Sequence, residues 1–303
     1  MVQVESTVLV ALPRGETKVV DADFRPDQGL AVLLRGEEGL RVWQPSRGLS
    51  WPSPRNADII RWLPESRLLL ASYHSFPERE SDDGEGWAVI VDDQGRRSGR
   101  IAIGSFVSQL LVASSGEIWI GYMDQGIYSD DKLAQEALVK LNRDGTPVFR
   151  YVTDLGREGR PVDDCYAISP DPGGGVWMCG YYDFLLENIS EDGKLVSRIP
   201  TPELLHGAHA IYVWRDYAVF VGPWEIENDK PTHPPDAPRR VLGWEADTSV
   251  GGVGRIEPLS LDAGYYHPLP AETGLTFLGI EEKHVVGIRI EPKSRPPPIP
   301  SSL

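Results

Sequence analysis

The sequence predicts an all-β fold, a six-bladed β-propeller closed into a ring by its N-terminal strand. Three observations carry that expectation. Residues 106–153 hold four short β-like runs, SQLLVA, EIWIGY, ALVKLN and PVFRYV. Turn signals divide them: Ser114-Ser115-Gly116 between the first two and Asp144-Gly145 between the last two. Asp-Gly between apolar runs signals a tight hairpin, because the turn needs positive φ and glycine reaches it at little cost. The third observation is repetition. Residues 163–202 copy the unit, and looser copies fill the rest of the chain. Four antiparallel strands in about 45 residues is the size of one propeller blade.

Taken in order, residues 1–20 hold VQVESTVLVALP, one strand with no partner nearby. Its expected partners are LTFLGI and HVVGIRI, within residues 275–290, so that the N-terminal strand completes the C-terminal blade. Closure of this kind removes the open sheet edges that invite aggregation. Residues 21–50 read as a short blade of three strands: Phe24, a turn at Pro26-Asp27-Gln28-Gly29, then AVLLRG and LRVW. Residues 56–104 supply four more, ADIIRWLP, RLLLASYHSF, GWAVIVDD and RSGRIAIG. Their outer turn is Asp93-Gln94-Gly95, and the acidic stretch 77–86 is an exposed loop.

In the 106–153 unit, SDDKLAQEALVK gives one helical turn before the third strand. The 163–202 copy aligns CYAISPD, GGGVWMCGYYD and FLLENISEDGKLVSRIP with the strands of the first unit. Residues 207–261 give AHAIYVWR, YAVFVGPWEIE, RRVLGWEA and VGRIEPLSL. The Pro-rich NDKPTHPPDAP (228–238) lacks the donors of a central strand and reads as a loop. Residues 265–290 close the ring. One domain therefore spans 1–290, followed by a Pro-rich tail, EPKSRPPPIPSSL, over 291–303. A β-sandwich is the rival architecture, but sandwiches do not repeat a strand-turn-Trp element.

GEIWIGYMDQGIY resembles the blade repeat of bacterial two-component-regulator propellers, Asp-Gly-x-ϕ-Trp-ϕ-Gly-Thr followed by Gly-ϕ-Tyr. Gly116, Trp119, Ile120, Gly121, Gly126, Ile127 and Tyr128 match. Ser115 stands for the Asp and Tyr122 for the Thr. In the next copy Gly175, Trp177 and Met178 match, while Cys179 takes the place of a glycine. The same elements are similar, more distantly, to virginiamycin-lyase and SMP-30/lactonase propellers. Those families include sensors, lyases and lactonases, so the resemblance implies a fold and transfers no activity. Trp119 and Trp177 are expected to fill the wedges between blades.

Composition excludes several classes. The 303 residues carry a net charge of −15, with 45 acidic against 30 basic side chains, a field that repels phosphate backbones. No apolar run approaches the roughly 18 residues that span a bilayer. MVQVESTVLVALPRGE lacks the basic start of a signal peptide, so a cytoplasmic protein is expected. No nucleic-acid or membrane partner is expected, and a monomer is. The two cysteines, Cys165 and Cys179, lie in CYAISPDPGGGVWMC. Symmetric pairing about Pro172 would set them opposite each other, as two small core residues or as a redox pair.

Topology nominates a site. The loops entering first strands and leaving second strands share one face around the pore. They bring Asp58, Tyr73, His74, Tyr122, Asp124, Asp164, Tyr182, Asp183, His209, Trp224 and Glu225 to the mouth, with Asp21 and Asp23 among the further entering-loop carboxylates. Aromatic faces among carboxylates suit a sugar, a cationic ligand or a hard metal ion. LHGAHA places His206 and His209 three apart, and His267 joins them as a metal candidate. Two readings follow. One is a non-catalytic module that binds a protein or a small polar ligand through this mouth, with no cofactor. The other is a hydrolase or lyase, acting on a lactone or sugar-like substrate, that depends on a divalent metal such as Ca or Zn.

Overall fold

Turn chemistry organises the blades. In the loop between the third and fourth runs of the 106–153 unit, Asn142 Oδ1 accepts the backbone N–H groups of Asp144 (3.2 Å) and Thr146 (2.8 Å), and Gly145 sits at φ +87°. A Cβ on Gly145 would lie 2.5 Å from Ile101 Cγ2 in the preceding blade. The glycine is therefore required twice, by its dihedral and by the blade it rests on. Gly95 and Gly193 repeat the arrangement against Trp51 and Phe149. In blades 2, 3 and 4 the outer turn is thus a peg set against the outermost strand of the blade before it.

The computed structural model describes the chain apart from residues 1, 14–15, 55, 74–85, 157, 215–216, 228–229, 233–239, 248–251, 260, 262–264, 270–275, 281–282 and 293–303. The chain opens with β1 (Val2–Ala11). Blade 1 follows as β2 (Glu16–Arg25), β3 (Gly29–Gly36), β4 (Gly39–Gln44) and β5 (Leu49–Pro52). Blade 2 is β6 (Ile59–Leu63), β7 (Arg67–Ala71), β8 (Trp87–Val91) and β9 (Arg97–Ala102). Blade 3 is β10 (Val107–Val112), β11 (Ile118–Tyr122), β12 (Leu138–Leu141) and β13 (Pro147–Arg150), with α1 (Asp124–Ile127) before its third strand and α2 (Tyr151–Leu155) after its fourth. Blade 4 is β14 (Asp164–Pro170), β15 (Val176–Tyr181), β16 (Leu185–Ile189) and β17 (Leu195–Pro200).

Blade 5 starts with β18 (Ala210–Trp214) and β19 (Tyr217–Val221). A separate hairpin, β20 (Glu225–Glu227) and β21 (Lys230–Thr232), interrupts it before β22 (Val241–Asp247) and β23 (Gly252–Pro258). Blade 6 is β24 (Tyr265–Pro268), β25 (Phe277–Ile280), β26 (His284–Pro292) and, as outermost strand, β1. The pairing runs antiparallel from Val2 opposite Pro292 to Ala11 opposite His284. The six-bladed ring is closed by the two ends of the chain, as the sequence predicts. Among the described residues no helix is long and apolar enough to cross a membrane.

The core is divided among the seams between blades. Trp119, Leu138 and Phe149 of blade 3 meet Ile168, Met178 and Ile189 of blade 4. Phe220 and Trp244 of blade 5 meet Ala167, Cys179 and Leu186 of blade 4. Val32 and Leu34 of blade 1 meet Leu278 and Val285 of blade 6, which completes the circle. Inner strands are covered on both faces. This explains why Ile59–Leu63 and Ile118–Tyr122 are buried at every position and read as continuous apolar runs without alternation.

Several local expectations are corrected. Blade 1 has four strands, because Leu49–Pro52 pairs with β4 as an outer strand too short and too exposed to show a pattern. Residues 1–20 contain a whole strand and the start of another. The last run of blade 3 ends at Arg150 and turns helical at Tyr151. The cysteines do not face each other. A bulge between Cys165 and Ala167 shifts the register, so Cys179 lies opposite Ala167. Cys165 then packs into the seam with blade 3 and Cys179 into the seam with blade 5, both buried and free. Trp119 is buried as expected, whereas Trp177 is half-buried and donates its indole N–H to Asp171 Oδ1 at 3.1 Å.

Candidate functional site

The first strands β2, β6, β10, β14, β18 and β24 face the axis and touch in that order, and β2 meets β25 of blade 6 at the last seam. Most inward positions are apolar or small. Blades 1, 2 and 6 instead place Asp21, Asp23, Arg61 and His267 there, all buried. Arg61 Nη1 pairs with Asp21 Oδ2 at 2.5 Å and also reaches Ile60 O at 2.6 Å, while Nε donates to Leu110 O at 2.9 Å. Nη2 lies 3.2 Å from His267 Nδ1. Each aspartate also accepts a backbone N–H across the blade seam: Asp21 from Ile60 (2.8 Å) and Asp23 from Trp62 (2.7 Å). Buried charge of this kind persists only when paired and hydrogen-bonded.

The ionisation follows from that packing. Burial raises the Asp21 carboxyl, and Arg61 opposes the rise. Burial likewise pushes Asp23 up to about 6, again against Arg61. His267 is held well below the ordinary imidazole range, first by burial and then by the adjacent guanidinium. Its Nε2 lies 3.9 Å from Asp23 Oδ1. A neutral ring makes that approach a polar contact and not an ion pair. A guanidinium can only donate, so Nδ1 of His267 accepts and the ring proton sits on Nε2.

The opposite end of the axis carries the loops nominated from topology. Entering and leaving loops meet there through backbone bonds, Asp58 N–H to Ala71 O at 2.8 Å and Asp163 N–H to Tyr181 O at 3.1 Å. Over blades 4 and 5 the rings of Tyr166, Tyr181, Phe184 and Trp224 form one cluster, with Trp224 5.3 Å from Phe184, 5.9 Å from Tyr166 and 6.0 Å from Tyr181. His206 stacks flat on Phe184 at 4.0 Å. Beside the rings, Asp164 accepts the backbone N–H at Asp124 and faces that residue's carboxylate. Burial, then the Asp124 charge, pushes Asp164 up to about 7. The neighbouring Asp163 takes the Tyr128 hydroxyl, in a hydrogen bond that ties blade 4 to α1 of blade 3.

The nominated residues divide accordingly. Asp124, Asp164, Tyr182 and Trp224 gather on the loop face of blades 3 to 5. Asp183 is exposed nearby and pairs with Arg160 at 3.4 Å. His209 is half-buried against Gly222, where a Cβ would lie 2.4 Å from its Nδ1. Tyr122 is buried and donates its hydroxyl to Ile103 O at 2.7 Å, and Tyr73 packs into the seam of blades 2 and 3. Asp58 is half-buried in blade 2. His74 and the Glu225 side chain lie outside the described residues, as do the acidic loop over 77–85, most of the Pro-rich loop and the tail beyond residue 292, whose first two residues instead end β26. The three candidate histidines are separated: His206 on Phe184, His209 at the start of blade 5, His267 on the axis. Among the described residues no three His, Cys, Asp or Glu side chains converge as metal ligands.

Sequence reasoning missed Arg61, Tyr166 and Phe184. Arg61 left a signal, since an arginine inside the apolar run IIRWL is buried only with a partner. Tyr166 and Phe184 left none, because their roles depend on which blade lies beside them.

These sheets and their polar axis define the class: a six-bladed β-propeller with an aromatic and acidic loop face. No family model and no curated protein matches the chain. Solved structures do. A streptogramin B lyase matches at 12% identity over 96% of this chain and 98% of its own, with a TM-score of 0.50. A catalytically inactive virginiamycin B lyase from Staphylococcus aureus, solved with quinupristin, matches at 11% over 95% and 99%, TM-score 0.54. A gluconolactonase from Xanthomonas campestris matches at 13% over 92% and 88%, TM-score 0.52. At such identities the likeness is one of fold.

Proposed function

We propose that this propeller is a non-catalytic binding module whose loop face, over blades 3 to 5, takes a small organic cation. One observation carries the reading. The half-buried Asp164 carboxyl is held beside a second carboxylate, Asp124, and close enough to act on Tyr166, whose ring clusters with Tyr181 and Trp224. Two carboxylates crowded together gain from a cation between them, which restores ionisation of the raised one. Aromatic faces attract the same charge through their quadrupoles. Tyr181 and Tyr182 are 39% and 58% exposed, so an arriving ligand meets aromatic surface first.

Calorimetric titration with choline and with tetramethylammonium tests this. Saturable binding is expected at pH 8 and weaker binding at pH 5.5, where Asp164 is protonated. Trp224→Ala and Asp164→Asn should each weaken it by roughly tenfold, the scale of one cation–π or charge contact. Absence of saturable heat from both cations, or full binding in both variants, would exclude the reading.

A further inference from the structure

A second concavity opens at the other end of the axis, away from the loop face. The hairpin turns that follow the first strands of blades 1, 3 and 4 surround it, together with the end of β24 in blade 6. It encloses about 790 Å³ of empty space, its open mouth included. Phe24, Leu111 and Pro268 wall it, and Asp23, Arg61 and His267 form its polar base.

That base has a fixed hydrogen-bonding sense. Arg61 is spoken for by Asp21, two backbone carbonyls and His267 Nδ1, so it orients the imidazole with N–H at Nε2. The Nε2 donor and the Asp23 Oδ1 acceptor stand 3.9 Å apart, too far to bond each other. Two contacts of about 2.8 Å that meet near a right angle span that gap, so one oxygen can touch both. The oxygen must accept from Nε2 and donate to Oδ1. A hydroxyl does both, an ammonium cannot accept, and a carboxylate cannot donate. Charge points the same way. Asp21 already balances Arg61, so the further carboxylate of Asp23 repels an anion. The charged side chains on the wall are already engaged: Arg25 donates to Ala113 O, and Asp171 accepts from Gly173 N–H, the Trp177 indole and the Asn188 amide. Trp119, also on the wall, has a buried indole N–H that meets no hydrogen-bond partner.

We propose that this vestibule binds a neutral alcohol with a compact apolar body, its hydroxyl bridging His267 Nε2 and Asp23 Oδ1. The site is independent of the loop face, and variants at Asp164 or Trp224 should leave it unchanged.

Cyclohexanol and benzyl alcohol are the probes, followed through the ¹⁵N and ¹H signals of the His267 ring at pH 7.5. Saturable shifts are expected from both alcohols below about 50 mM, with cyclohexylammonium and cyclohexanecarboxylate at least roughly tenfold weaker. His267→Phe should abolish cyclohexanol binding by calorimetry. If that variant does not fold, Ser114→Trp, which sets a large ring at an exposed position of the lining, should do the same. A network that serves only to lock blades 1, 2 and 6 together gives no ring shift with either alcohol. That result, equal binding of the charged analogues, or binding that survives either folded variant would overturn the proposal.

Discussion

Asp164 is the residue at which fold and chemistry meet. Its carboxyl belongs to the first residue of β14, where the chain turns onto the axis beside α1. Burial and the Asp124 charge raise it from 3.8 to about 7, so the folded state holds a proton that the unfolded chain releases. Stability from that proton is complete below about pH 4 and is lost as pH rises through 7. Asp164→Asn keeps the shape and removes the titration. It should leave Tm unchanged near pH 4 and raise it at pH 8. Solvent screening of this half-buried group limits the gain to about 1 kcal/mol, or roughly 2–4 °C. Calorimetric scans at the two pH values would check this, and an equal shift at both would show that the carboxyl does not titrate in the window.

At the scale of the element, blades are held by close approach at their seams. Gly121 in β11 faces Cys165 in β14, and a Cβ on Gly121 would lie 2.6 Å from Cys165 Sγ. Gly121→Ala should therefore overpack the seam of blades 3 and 4 and cost about 1–3 kcal/mol. Cys165→Ala opens the space that the new methyl needs. In a double-mutant cycle read by urea denaturation, the two changes should offset each other by at least about 0.5 kcal/mol. Strict additivity would mean that the strands slide apart rather than press together. The bulge after Cys165 divides between two seams a cysteine pair that looks ready to bridge in sequence.

For the whole molecule, the ring depends on the chain ends meeting. β1 covers β26, whose backbone groups would otherwise form an open edge. A chain lacking residues 2–11 should show a lower urea midpoint and concentration-dependent association as exposed edges pair. Size-exclusion chromatography with light scattering at several concentrations separates the outcomes. A truncated chain that stays monomeric with an unchanged midpoint would show that closure contributes nothing.

Fold and site were legible to different depths. Turn glycines, the Trp-bearing strand and the lone N-terminal run carry local, periodic information, and they specified six blades, their strands and the join between the ends. The four-residue β5 escaped because an exposed outer strand needs no apolar pattern. The loop carboxylates and aromatics at the mouth could be named from topology alone, because alternation of direction fixes which loops share an end. What the chain did not reveal is which of them touch. Tyr122 and Trp224 look alike as aromatics after a second strand, yet one is sealed under Ile103 and the other joins a ring cluster. The grouping of Asp21, Arg61 and His267, the last two 206 residues apart, likewise exists only once blades 1, 2 and 6 stand side by side. Sequence by itself determined the repeat, since each hairpin is fixed by neighbours along the chain. Tertiary structure alone decided the polar axis and the vestibule above it, since those contacts are made across seams that no local pattern records.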